Sequence, residues 1–249
     1  MKSSPKPISP FRFRQFDVQH ARSSMKVGTD AVVLGAWADT SLARQVLDVG
    51  TGCGVVALMM AQRLDDGLVV GIDIHEPSIE EATEKARLSP FADSVRFSQV
   101  DLRLFCPREF FHEGEPLHII SNPPYHEEDL LPPDTARSAA RHTRHLPFDD
   151  LLSESMRIFS ELSVPPDGCL LSVIIPTQAV ERFLSLAAHH TLYPSRRTDI
   201  VTVPGRPPKR TLLELRPLTV QPDTDILVLN TPDGQRTPQY AHLCRDFYL

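Results

Sequence analysis

A doubly wound α/β domain with a mostly parallel sheet is predicted from three observations. Short apolar runs alternate with segments of helical character, the first regular run ends in a glycine-rich turn, and a Gly/Pro-rich loop joins two late runs as an antiparallel pair. The 249 residues suffice for one such domain and leave little for a second. With 41% hydrophobic residues the chain is too apolar for general disorder. No apolar run approaches the roughly 18 residues that cross a bilayer. The start, Met1-Lys-Ser-Ser-Pro-Lys-Pro7, has no apolar core of a signal peptide, so the expectation is a soluble, cytoplasmic protein.

Residues 1–10 hold three prolines and are expected to form a flexible tail, followed by a single domain over 11–249 whose basic arm spans 11–40. Phe11 to Phe16 alternates aromatic with basic or polar residues, as a short strand or ordered arm does. Ala31 to Ala38 reads as a helix with Asp30 as a possible N-cap. Val46–Val49 is the first buried strand, Gly50–Gly54 its turn, and Val55–Arg63 the helix after it. Leu68–Ile74 is the second strand, and Pro77 opens a helix over Ser78–Leu88. Val95–Val100 and Leu117–Ser121 are the third and fourth strands, and a polar, proline-containing loop at 126–137 has the length of a binding loop. Phe148–Leu162 is helical, Cys169–Ile175 the fifth strand, and Thr177–His189 helical. Ile200–Val203 and Thr211–Leu215 close the sheet as the antiparallel pair, giving seven strands.

The 26 basic and 32 acidic residues give a net charge of −6, which by itself argues against a polyanionic partner. Their distribution argues the other way. Residues 1–26 carry a local +5 through Lys2, Lys6, Arg12, Arg14, Arg22 and Lys26 against Asp17. Residues 136–145 carry +3 through Arg137, Arg141 and Arg144, and 190–216 carry +4. Either these segments converge on a polyanion or they are three solvated loops; charge alone leaves both open. The four cysteines are scattered with no C-x-x-C pair, and the histidines form no ligand pattern, so no metal is expected.

Three motifs carry chemistry. Asp48-x-Gly50-x-Gly52-x-Gly54 joins a strand to a helix; glycines there permit positive φ and let a ligand lie on bare backbone at a helix N-terminus. The spacing is one residue tighter than the dinucleotide fingerprint. Asp73, ending the second strand, can accept hydrogen bonds from both hydroxyls of a ribose, or can cap the next helix. Asp101 stands at the same edge and either meets an adenine amino group or caps Leu102 onward. The sharpest motif is Asn122-Pro-Pro-Tyr125, directly after an apolar strand where open α/β sheets place their crevice. Its prolines stiffen a backbone that presents carbonyl oxygens. The Asn122 side-chain oxygen and the Pro123 carbonyl can accept both N–H bonds of an exocyclic amine, localising its lone pair for attack on an electrophilic methyl. Tyr125 can stack on the flat target, a contact worth about 1–3 kcal/mol per base.

With these motifs in order, the chain resembles the class I S-adenosylmethionine-dependent methyltransferases that carry N-P-P-Y, with their Rossmann-like fold. Met25-Lys-Val-Gly-Thr-Asp30, Leu34-Gly-Ala-Trp37, Phe13-Arg-Gln-Phe16, Ala140-Arg-His142 and Phe247-Tyr-Leu249 extend the likeness to the bacterial tRNA1(Val) adenine-37 N6-methyltransferases. The resemblance implies S-adenosylmethionine as cofactor and, as substrate, the adenosine 3′ of the anticodon of a valine tRNA. By position it implies that Lys26, Thr29 and Asp30 border the cofactor and that Asp48, Gly50 and Gly52 form its turn. Asp73 would hold the ribose, Asp101 would lie near the adenine, and Asn122, Pro123 and Tyr125 would orient the target base. Arg12, Arg14, Arg22, Arg137, Arg141 and Arg144 would grip anticodon-loop phosphates. Two departures are Arg14, where the family usually has Lys, and Asp73, where relatives often have Glu.

Other acceptors share the turn's chemistry: guanine N2 or adenine N6 of ribosomal RNA, DNA adenine, or a protein glutamine. Glutamine methylation usually goes with an N-terminal helical domain, for which a first strand near Val46 leaves no room, and the guanine enzymes often duplicate the domain. A non-catalytic RNA-binding module on the same fold is a further alternative, against which the intact motifs count. The sequence does not specify the oligomeric state.

Overall fold

The computed structural model describes residues 11–18, 28–123 and 146–248. The expected tail, the 126–137 loop, Arg22, Lys26, Tyr125, Arg137, Arg141 and Arg144 lie outside them.

Two short strands, β1 (Phe11–Arg12) and β2 (Asp17–Val18), form an antiparallel hairpin. Phe13 and Phe16 in its turn are buried and stacked, with ring centroids 4.6 Å apart. A bridge from Phe13 to Tyr248 and a hydrogen bond from Arg14 N to Phe247 O dock this hairpin on the chain's C-terminal segment.

The main sheet contains β3 (Gln45–Val49), β4 (Leu68–Asp73), β5 (Val95–Gln99), β6 (Leu117–Ser121), β7 (Cys169–Pro176), β8 (Tyr193–Val201), β9 (Arg210–Arg216) and β10 (Asp223–Val228). Their order is β10-β8-β9-β7-β6-β3-β4-β5, and β9 alone runs antiparallel to its neighbours. The direction of winding reverses between β3 and β6, which opens a crevice at the strands' C-terminal ends.

Helices α1 (Thr29–Trp37) and α2 (Val55–Arg63), with Ala86 of α3 (Glu76–Leu88), build the core on one face; α4 (Phe148–Glu161) and α5 (Val180–His189) build the other. Strand periodicity shows in β7, where Val173 and Ile175 enter the second core and Ile174 the first. Every residue of α1 from Ala31 to Trp37 is buried, so this helix has no polar face.

Three expectations are corrected. The sheet has eight strands, not seven: β10 pairs in parallel with β8 although its first four residues are exposed. Backbone pairing rather than an apolar pattern makes it a strand, so no side-chain signal marks it. Asp30 does not cap α1; Gly28 holds that position, and the Asp30 carboxylate accepts from Arg210 Nε at 2.8 Å. The segment after β7 begins as a 3-10 turn at Thr177–Ala179 before α5. A short helix, α6 (Pro238–Leu243), was also unread; Thr237 caps it by accepting from Tyr240 N. Among the described residues no helix is long and apolar enough to cross a membrane.

Candidate active site

The site begins where β3 ends. Gly50 and Thr51 both donate backbone N–H to Ile72 O, at 2.9 Å each, which folds the turn back across β4. Gly50, Gly52 and Gly54 have φ of 69°, 52° and 79°, values that disfavour side chains with a Cβ. Their surroundings divide them. A Cβ on Gly50 would meet nothing within 4 Å, and one on Gly52 only the Gly50 carbonyl at 4.0 Å. On Gly54 it would lie 2.8 Å from Phe97 Cζ and 3.0 Å from Ala82 Cβ. The first two leave a bare backbone facing open space; the third lets α2 close on β5 and α3.

Asp48 points away from that open face. It is 2% exposed and accepts from Thr51 Oγ1 at 2.6 Å and Ala57 N at 3.1 Å, tying the turn to the first turn of α2. Burial pushes its carboxyl up to about 7 despite these bonds. Asp73 is half-buried, and its two oxygens accept from Gly52 N and His75 N, each at 2.9 Å. The same carboxylate therefore sets the turn's height over β4 and stands at the crevice with lone pairs left for further donors.

β6 adds the third wall. Val49 is opposite Ile72 on one side and Ser121 on the other, so Gly50, Asp73 and Asn122 each follow the same row of the sheet. At about 4.8 Å between strands, the three groups span roughly 10 Å. Ser121 Oγ donates to Val49 O at 2.8 Å and locks the ends of β6 and β3 together. Asn122 is half-buried, Pro123 is buried, and the Asn122 side chain makes no hydrogen bond among the described residues.

The start of α1 reaches the same edge. Arg210, paired with Asp30, is opposite Pro176 at the end of β7, so Thr29 and Asp30 stand beside the crevice. Asp101 caps Leu102 onward: it accepts from Arg103 N at 3.0 Å and Arg103 Nε at 2.8 Å, and the Arg103 hydrogen bonds hold its carboxyl below the usual range. Arg12 and Arg14 make no contact with Asn122 among the described residues. Their hairpin packs on the C-terminal segment, where Arg14 Nε donates to Tyr248 O at 2.8 Å, and beside Glu84, Lys85 and Leu88 in the later turns of α3.

Two supports escaped the sequence reading. Lys85 is 6% exposed and donates to Cys53 O at 2.9 Å, bracing the glycine turn from α3. Its signal was the Glu81–Lys85 spacing of four, which resembles any surface ion pair. Ile74, 48% exposed beside Asp73, gives the edge an apolar surface; an apolar residue just past a strand-end acid was the available sign. Among the described residues no group of His, Cys, Asp and Glu could hold a metal ion.

Open backbone at a helix N-terminus, a carboxylate at the next strand end and, one strand away, an amide with no partner among the described residues suit a nucleoside-bearing ligand beside an acceptor amine. The family model of the methyltransferase small domain matches residues 20–146. A tRNA1(Val) (adenine(37)-N6)-methyltransferase of Phocaeicola vulgatus is 38% identical over 98% of this chain and 99% of its own. Proteins of the same name from Parabacteroides distasonis and Yersinia pseudotuberculosis are 37% and 35% identical, each over 96% of this chain and over 97% and 92% of their own. Among solved structures, a predicted O-methyltransferase of Agrobacterium tumefaciens, Atu636, superposes with a TM-score of 0.61 at 20% identity, covering 88% of this chain and 96% of that one. The methyltransferase CcbJ of Streptomyces caelestis gives 0.52 at 14% identity, over 76% and 96%. These structures share the class I fold.

Proposed function

The chain belongs to the methyltransferase small domain family, alongside the bacterial tRNA1(Val) (adenine(37)-N6)-methyltransferases, and from that premise we propose that it methylates N6 of adenosine 37, 3′ of the anticodon, in a valine tRNA. The observation that carries this reading is the shared row of Gly50, Asp73 and Asn122 at the switch point, with open space where Gly50 and Gly52 carry no Cβ.

S-adenosylmethionine, when bound, supplies an electrophilic methyl group. Gly50 and Gly52 fit it by leaving no Cβ in its path, and the Asp73 oxygens accept ribose hydroxyls while still holding Gly52 and His75. Lys26, Thr29 and Asp30 would border it. Asn122 and the Pro123 carbonyl accept the two N–H bonds of the adenine amine, and Tyr125 stacks on the ring. This draws the nitrogen lone pair out of conjugation and aims it. Catalysis is then alignment and electrostatic polarisation, with no dedicated general base. An anticodon loop makes the required unstacking of the base inexpensive. Arg22, Arg137, Arg141 and Arg144 would hold loop phosphates, and Arg12 and Arg14, on the hairpin docked against the C-terminal segment, would reach further backbone of the same RNA.

Methyl transfer from labelled S-adenosylmethionine, offered in parallel to unmodified tRNA, ribosomal RNA, DNA and a release-factor protein, tests the reading. Label in tRNA recovered as N6-methyladenosine at position 37 is expected. Label only in another acceptor refutes the substrate, and failure to bind S-adenosylmethionine refutes the site.

A further inference from the structure

Residues 190–216 hold six basic side chains, and the fold treats them unequally. Arg196 pairs with Glu214 at 3.7 Å and stacks on Trp37, Arg197 pairs with Asp199 at 3.1 Å, Arg210 with Asp30 at 2.8 Å, and Arg216 with Asp39 at 3.8 Å. The two that remain, Arg206 and Lys209, are exposed and have no acidic partner among the described residues. Both lie in the β8–β9 connection. Because β9 starts opposite Pro176, this connection stands at the C-terminal edge of β7, the edge that carries Asn122 on β6. From β9 to β6 is two strand spacings, about 10 Å sideways, and Pro176 lies three residues past the Ser121–Val173 pair, about 10 Å further along the strands.

The connection is stiff. Arg206 N donates to Val203 O at 3.2 Å, closing a turn with Pro204 and Gly205 at its centre and Gly205 at φ 79°, the pattern of a type II turn. Pro207 and Pro208 fix the backbone that follows, and Lys209 N donates to Ile200 O at 3.1 Å. Its base is tied to its neighbours: Lys209 O accepts from Thr177 N at 3.2 Å, and Thr211 Oγ1 donates to Asp199 at 2.7 Å. Two cations with no acidic partner among the described residues are thus carried on a fixed backbone near the crevice.

We infer that the 202–209 turn is a preformed phosphate-binding element, in which Arg206 and Lys209 hold the backbone of the RNA acceptor on the β7–β9 side of the crevice. The inference rests on the RNA reading of the active site and adds residues to it. Fixing in advance the backbone that carries the two cations lowers the entropic cost of engaging a flexible loop. Each contact releases counterions, so affinity from this element falls with salt.

The test is tRNA binding against salt for the wild type, for R206Q/K209Q and for the charge-preserving R206K/K209R. Two lost phosphate contacts reduce the slope of log K against log salt by about 1.4–1.8 and weaken binding roughly 15- to 30-fold at 0.15 M salt. The loss falls on KM rather than kcat, S-adenosylmethionine affinity is kept, and R206K/K209R recovers most of the binding. A wild type that methylates tRNA, together with an R206Q/K209Q variant of unchanged slope and KM, overturns this inference alone. A loss that R206K/K209R shares fully overturns it as well, because geometry rather than charge would be responsible. A wild type that neither binds nor methylates tRNA overturns the RNA reading and this inference with it.

Discussion

Replacing Gly52 and Gly54 by alanine, one at a time, separates the two tasks of the glycine turn. Both sit at positive φ, 52° and 79°, where an L side chain costs about 1–2 kcal/mol. For Gly52 that is the whole structural cost, because the nearest atom to its new Cβ is the Gly50 carbonyl at 4.0 Å. The Gly54 Cβ would press on Phe97 Cζ at 2.8 Å and on Ala82 Cβ at 3.0 Å. The Phe97 ring can tilt, but the Ala82 Cβ moves only with the α3 backbone, and such overpacking adds about 1–3 kcal/mol. G54A should therefore lose about 2–5 kcal/mol, or roughly 4–20 °C in Tm for a chain of this size. G52A should lose only about 1–2 kcal/mol yet bind S-adenosylmethionine more weakly, since its Cβ enters the open face. A clash of about 1–3 kcal/mol there corresponds to roughly 5- to 150-fold in Kd. Urea denaturation measures the first effect and calorimetric titration of the cofactor the second. Wild-type cofactor affinity in G52A would show that the open face is not the cofactor's place. Wild-type stability in G54A would refute the packing argument.

Two further outcomes follow from the same geometry. N122A should lower kcat by about 10²–10³ through loss of an oriented acceptor, with cofactor affinity kept; single-turnover methylation and cofactor titration separate these, and a large loss of cofactor affinity would reassign the residue. His118 is buried on β6 against Ser172 Oγ at 2.8 Å, and burial pulls its imidazole down from 6.5 to about 3. Its contribution is fully present above 6.5 and is lost as pH falls toward 3, about 2 kcal/mol of it by pH 5. Asp48, raised to about 7, has the opposite sign, gaining stability as pH falls below 7, so the net curve mixes the two. The difference between wild type and H118Q isolates His118: it should shrink by about 2 kcal/mol from pH 8 to pH 5 in urea denaturation, and parallel curves would exclude a neutral His118.

The parts legible in the sequence were those whose cause is local. Val46–Val49 and Cys169–Ile175 announce buried strands because consecutive apolar residues serve two faces of a sheet, and both are found where expected. The glycine spacing marked the turn, and the prolines after Asn122 marked the edge of β6. Asp48 was legible as part of a motif but not in its orientation, because only its partners Thr51 and Ala57 show that it faces inward. For Asp101 the sequence left capping and ligand contact open, and the structure shows the cap, with Arg103 as partner.

Composition, periodicity and glycine placement thus determined the α/β class, the order of most elements and the strand ends that carry the chemistry, because each depends on residues within a few positions of one another. Tertiary structure alone decided which distant groups share a row or a charge. Ser121 meets Val49 across 72 residues and Arg210 meets Asp30 across 180. β10 exists because β8 supplies its hydrogen bonds, not because its own side chains ask for a strand. Whether six basic residues in one segment cancel or accumulate depends on which acids pack beside them. Net charge is a property of the chain, but uncompensated charge, which among the described residues remains on Arg206 and Lys209, is a property of the fold.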